Sequence, residues 1–97
     1  MTTIGTFTKT DNGFTGHIET LTLSQAVRFE PAEKLGDKSP DYRVYAHGAE
    51  IGAAWIKVSR KNMPFLAVTL DDPTFKAAIQ CRLFEGEDGK FQLLWNR

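Results

Sequence analysis

The sequence holds a single cysteine, Cys81, among 97 residues. No disulfide can form within the chain, so stability must rest on a packed core, and a thiol-poor composition suits a reducing compartment. The two histidines, His17 and His47, lie on separate segments and match no zinc-ligand spacing. No metal and no cofactor are expected. Long apolar runs are missing as well: no window approaches the roughly 18 consecutive apolar residues of a membrane-spanning helix. The opening "MTTIGTFTKTDNGF" has neither the basic start nor the apolar run of a secretory leader. The expected location is the cytoplasm, with no membrane association. Charge of one sign is not in excess, since 12 Lys and Arg stand against 12 Asp and Glu. Indiscriminate coating of a polyanion is thereby disfavoured, and any attraction to one must come from a local patch. Internal repeats, low-complexity tracts and helical periodicity sustained beyond a turn are also absent.

What is present is period-two alternation between turn signals, in a chain long enough for one modest core and too short for two. "TIGTFTK" and "GFTGHIETLTL" flank Asp11-Asn12-Gly13, whose Asn-Gly pair tolerates the positive φ of a tight hairpin. Within the second run the apolar phase changes from Phe14 and Ile18 to Leu21 and Leu23, which predicts a β-bulge or sharp bend near Glu19-Thr20. The proline- and charge-rich "SQAVRFEPAEKLGDKSPD" reads as the most irregular segment, with Val27 and Phe29 compatible with a short edge strand. "DYRVYA", a His47-Gly48 turn and "EIGAAWIKV" form a second hairpin; "PFLAVTL", apolar on both faces, reads as a central strand that Asp71-Asp72-Pro73 stops. Ala77, Ile79, Cys81 and Leu83 then share a face, Glu87-Asp88-Gly89 turns, and Phe91, Leu93 and Trp95 return with the same period. An acidic residue before proline at Asp72-Pro73 is compatible with one short helical turn. The expectation is a single all-β domain over residues 1–97. Its fold is a meander of about seven short antiparallel strands, closing into a half-open barrel or a two-layer sandwich.

Catalytic chemistry finds little footing. Cys81 has no histidine near it in sequence and alternates with apolar neighbours, so it reads as a small buried hydrophobe. Asp71-Asp72 has the composition of an acid–base pair or a magnesium site, but at a strand end such a pair more often accepts backbone N–H groups in a turn. Gly48 and Gly52 are followed by no lysine-serine pair and no strand–loop–helix unit, so no phosphate loop is expected. The protein is expected not to be an enzyme. One patch stands apart. Arg43 and Tyr45 share a strand face, Trp55 and Lys57 share a face of the partner strand, and Arg60 and Lys61 occupy the next turn. Cations for phosphates beside aromatic faces for bases are what a single-stranded nucleic acid requires. The competing reading places Trp55 in the core and the basic residues in a solvated turn. A third reading is a protein-interaction or inhibitor module that docks on a partner through an unpaired strand edge or an exposed aromatic patch.

The order "TIGTFTKTDNGFTGHIETLTL", "PDYRV", "EIGAAWIKVS", "FLAVTLDDPTF" and "EGEDGKFQLLWNR" resembles the bacterial family catalogued as domain of unknown function 736, over nearly the whole chain. The resemblance implies a small intracellular protein of plasmids and conjugative elements, and it implies no activity. Two departures from that family's pattern stand out. Ile56 follows the tryptophan where lysine is common, and "FKAAIQC" replaces a proline-containing run. The first removes a cation beside Trp55, while Lys57 retains one. The function expected on these grounds is a non-enzymatic binding module of a mobile element, with single-stranded DNA or RNA as the first ligand to test.

Overall fold

A computed structural model describes residues 2–21, 24–33, 35–73, 75–86 and 89–95. The alternation resolves into eight strands: β1 (Thr2–Lys9), β2 (Phe14–Glu19), β3 (Ser24–Pro31), β4 (Tyr42–Ala46), β5 (Ala49–Val58), β6 (Pro64–Leu70), β7 (Ile79–Glu85) and β8 (Lys90–Trp95). Each pairs antiparallel with its neighbour in sequence, and β8 pairs back onto β1 from Thr2↔Trp95 to Thr8↔Lys90. The meander is thus a closed up-and-down barrel, neither half-open nor a sandwich. It has one strand more than the seven expected.

The additional strand is β3, drawn from the segment read as irregular. Its inward residues Val27 and Phe29 are buried, while Arg28 and Glu30 face solvent, so its charges mark an outer face and not a break in the strand. Pro31 is tolerated because it is the strand's last residue. The phase change after Ile18 is the end of β2, not a bulge: Leu21 is fully exposed beyond it, and Leu23 lies outside the described residues. Register shifts occur elsewhere, between Thr3 and Gly5 on β1 and between Val44 and Tyr45 on β4. No α-helix occurs among the described residues. The Asp72 region makes one hydrogen-bonded turn, in which the Phe75 N–H donates to the Asp72 carbonyl at 2.8 Å.

The first hairpin turns without the positive φ expected of Asn12-Gly13, and Gly13 is required there instead by close approach, since an added Cβ would fall 2.0 Å from the Phe29 carbonyl oxygen. Gly13 N–H donates to Thr10 Oγ1 at 3.0 Å while Thr10 N–H donates to the Gly13 carbonyl, closing the first hairpin. His47 and Gly48 have φ of 53° and 80°, the double positive φ of a type I′ turn. The third hairpin closes through Ser59 N–H to the Met63 carbonyl, with Asn62 at φ 58°. In the last hairpin Gly86 N–H donates to the Lys90 carbonyl; Glu87 and Asp88 lie outside the described residues.

Alternation fills the barrel. Phe7, Ile18, Phe29, Val44, Val68, Leu70, Leu83 and Leu93 are almost completely buried. Phe7 meets Phe29 edge-on at 5.2 Å, and Phe14 meets Phe91 edge-on at 4.8 Å, arrangements that suit the ring quadrupoles. Trp95 packs against this core from the last strand. Close strand approach dictates glycine at Gly16 and Gly52, where an added Cβ would fall 2.1 Å from the carbonyl oxygens of Thr6 and Thr69 respectively. The outward faces carry threonines, charges and a few aromatics around an apolar interior.

Candidate nucleic-acid interface

The same alternation that fills the interior sets the outer wall. Pairing registers place two rows of outward side chains across the sheet. One runs from Trp55 through Ala67 and Arg82 to Leu94, the other from Lys57 through Phe65, with Phe84 and Gln92 beyond it. At the second row the Phe65 and Phe84 rings stack with centroids 5.1 Å apart and planes 22° from parallel. The Arg82 guanidinium sits 5.6 Å above the Phe65 ring, a cation–π contact. Arg60 and Lys61, on the β5–β6 turn, border the same shallow depression of about 550 Å³, which Phe65, Arg82 and Phe84 also line. "PFLAVTL" is apolar on both faces because its second face carries this platform, in a barrel where no strand is central.

The residues singled out from sequence separate into two groups. Lys57, Arg60 and Lys61 gather at the Phe65–Phe84 pair, and none of them, nor Arg82, makes an ion pair among the described residues. Arg43 and Tyr45 face outward from β4, where their capacity is already engaged. The Arg43 guanidinium donates to Glu50 at 3.2 Å, and Arg28, itself paired with Glu30, covers the Tyr45 ring at 5.1 Å. The wall over β3–β4 is therefore charge-compensated. The wall over β5–β7 carries four uncompensated cations.

Trp55 stands between the two groups, on the outer wall and not in the core, because it alternates with the inward Ala54 and the inward-phase Ile56. Its indole N–H donates to the Lys38 carbonyl at 3.0 Å, and Asp41 accepts from the Ile56 N–H at 2.8 Å and donates its own N–H to the Ala54 carbonyl. The long connection between β3 and β4 is thereby stitched along β5, and the indole edge is committed to holding it. Arg82 and Phe84 were not singled out from sequence. The signal was present, since the alternation that turns Cys81 and Leu83 inward turns both of them outward.

Among the described residues, the other groups weighed for chemistry stand apart from one another. Cys81 is buried in the barrel, and desolvation pushes its thiol up to about 11, so it is protonated at neutral pH. His17 bonds Ser24 Oγ at 3.0 Å on the exposed wall, and His47 occupies its turn. Asp71 N–H donates to the Ile51 carbonyl at 2.6 Å, continuing the β5–β6 ladder as a strand-end turn. No cluster of three or more potential metal ligands occurs among the described residues.

Fold and surface together define a small closed β-barrel with an aromatic, cationic strip on its outer wall. The chain belongs to the family described as protein of unknown function (DUF736), whose model matches residues 3–97. No curated protein matches the chain, and no solved structure does.

Proposed function

We propose that this protein is a non-enzymatic binding module, carried on a bacterial mobile element as its family resemblance implies, whose ligand is single-stranded DNA or RNA. The observation that carries the reading is the stacked Phe65–Phe84 pair beside Lys57, Arg60, Lys61 and Arg82, all without carboxylate partners among the described residues. A π-face accepts any base, and cations beside it accept phosphates. Uncompensated charge on a chain of zero net charge favours a polyanion at that wall, whereas the paired Arg28 and Arg43 contribute little. Ring closure weakens the rival reading of docking by strand addition, because no strand is an edge along its length.

Fluorescence anisotropy with labelled oligonucleotides tests the proposal. Single strands are expected to bind at micromolar protein, with log K falling linearly in log salt. Removing Arg60 and Lys61 together is expected to flatten that slope by roughly 0.7 per lost phosphate contact. A folded protein that binds neither DNA nor RNA single strands at low salt overturns the reading. The same hairpin exposes Ile56, Val58 and Met63, each more than half accessible. Salt-insensitive association with a protein through these residues would then be the better account.

A further inference from the structure

The strip borders one mouth of the barrel, where two exposed charged residues end the inward-phase rows of their strands. Lys9 pairs with the buried Phe14 and Glu85 pairs with Phe91, so both charged residues occupy inward-phase positions at the same end of the barrel. They do not neutralise each other, as neither makes an ion pair among the described residues. Between them opens a depression of about 260 Å³ walled by Phe14, Tyr42, Phe65 and Phe91. Its aromatic walls are held edge-to-face, Phe14 against Tyr42 at 5.6 Å and against Phe91 at 4.8 Å. Phe65 borders both this mouth and the outer strip, so a strand lying on the Phe65–Phe84 platform has its neighbouring nucleotide at the opening.

We infer that the mouth is a base pocket selective for guanine within the single strand bound on the strip. The inference rests on the single-strand reading above and adds a sequence preference to it. The volume admits one planar base against the aromatic walls. The two charges then decide which base. A carboxylate accepts hydrogen bonds only, and guanine alone presents two adjacent N–H donors, N1–H and the N2 amine, along one edge. A lysine ammonium donates only, and guanine's O6 and N7 form an acceptor pair on the adjoining edge. Adenine and cytosine each offer Glu85 a single amine, and thymine or uracil a single ring N–H. Guanine is the base that satisfies both charged groups at once.

The test compares oligo(dT) with the same oligo(dT) carrying one central guanine, inosine or 7-deazaguanine, by anisotropy at fixed salt. The guanine strand is expected to bind about tenfold more tightly than oligo(dT). Inosine, lacking the N2 amine, and 7-deazaguanine, lacking the N7 acceptor, each lose part of that gain. Glu85→Gln is expected to bring the guanine strand to within twofold of whatever affinity the variant has for oligo(dT), and Lys9→Gln to erase the penalty of 7-deazaguanine. Circular dichroism melting confirms that both variants are folded. Binding of oligo(dT) with less than a twofold gain from guanine overturns the pocket and leaves the single-strand reading standing. A guanine gain that survives Glu85→Gln also overturns it, by locating the recognition elsewhere. Absence of binding to every strand overturns both.

Discussion

Replacing Phe65 and Phe84 by alanine, singly and together, separates a platform for bases from a pair of rings that merely steady the sheet. Both rings lie on the outer wall and are half-buried, so truncation opens no interior cavity. Stacked aromatic pairs are worth about 0.5–1.5 kcal/mol beyond the area they cover. Set against a typical total of about 5–15 kcal/mol, the loss leaves the barrel folded. A base stacked on a protein ring contributes about 1–3 kcal/mol, or roughly 5- to 150-fold in affinity. The double variant is therefore expected to melt cooperatively a few degrees lower while binding single strands at least tenfold more weakly at constant salt. Its salt slope is expected to match that of the parent, because no cation has been removed. Thermal melting and anisotropy on the same samples read both quantities. A folded double variant with the parent's affinity would refute the platform argument. A slope reduced along with affinity would mean that the rings act by holding Arg82, whose guanidinium lies over Phe65.

The buried thiol makes alkaline stability a second test. Unfolded Cys81 ionises near its ordinary value of 9.0, whereas in the barrel the value is pushed up to about 11. Its contribution is thus fully present below pH 9 and is lost as pH rises from about 9 to about 11, a change on the order of 2 kcal/mol. Urea titrations of parent and Cys81→Ala across that window are expected to give a shallower decline for the variant; parallel curves would show that ionisation of the thiol is not involved. The third concerns Trp55→Phe, which keeps an aromatic on the wall but deletes the indole donor to Lys38. Loosening of the β3–β4 connection by about 0.5–1.5 kcal/mol is expected to speed tryptic cleavage after Lys38 by roughly 2- to 12-fold, and an unchanged cleavage rate would show that Asp41 alone holds the loop.

Much of the barrel was legible because a strand buried on one face writes its orientation into every second residue. Phe91, Leu93 and Trp95, or Tyr42, Val44 and Ala46, need no partner to be recognised. Closure was not legible. The pairing of Thr8 with Lys90 joins opposite ends of the chain, and no local pattern distinguishes a strand that finds such a partner from one that remains an edge. The strand β3 was undervalued because proline and charge counted against it, although those charges occupy alternate positions and leave the inward face intact. At the candidate interface, Lys57, Arg60 and Lys61 could be read from one hairpin. Their aromatic companions could not, because Phe65 and Phe84 meet only through the β6–β7 register. Nor does any sequence pattern announce that Arg43 and Arg28 are neutralised, since Glu50 and Glu30 reach them by cross-strand and same-strand geometry.

The seam between β1 and β8 differs from the other seven junctions in one respect: no turn or loop ties its two sides together. Neighbouring strands elsewhere that separate are returned by the turn or loop that joins them, whereas this pair must meet again through the whole length of the chain. Opening it also uncovers two unpaired ladders at once, one on each terminal strand, from a native state that shows none along its length. Such ladders template pairing with another molecule. Self-association during heating is therefore expected to follow the frequency with which this one seam opens, and a cross-link bridging Thr3 and Leu94, which are already partners across it, is expected to suppress aggregation out of proportion to its effect on the melting temperature.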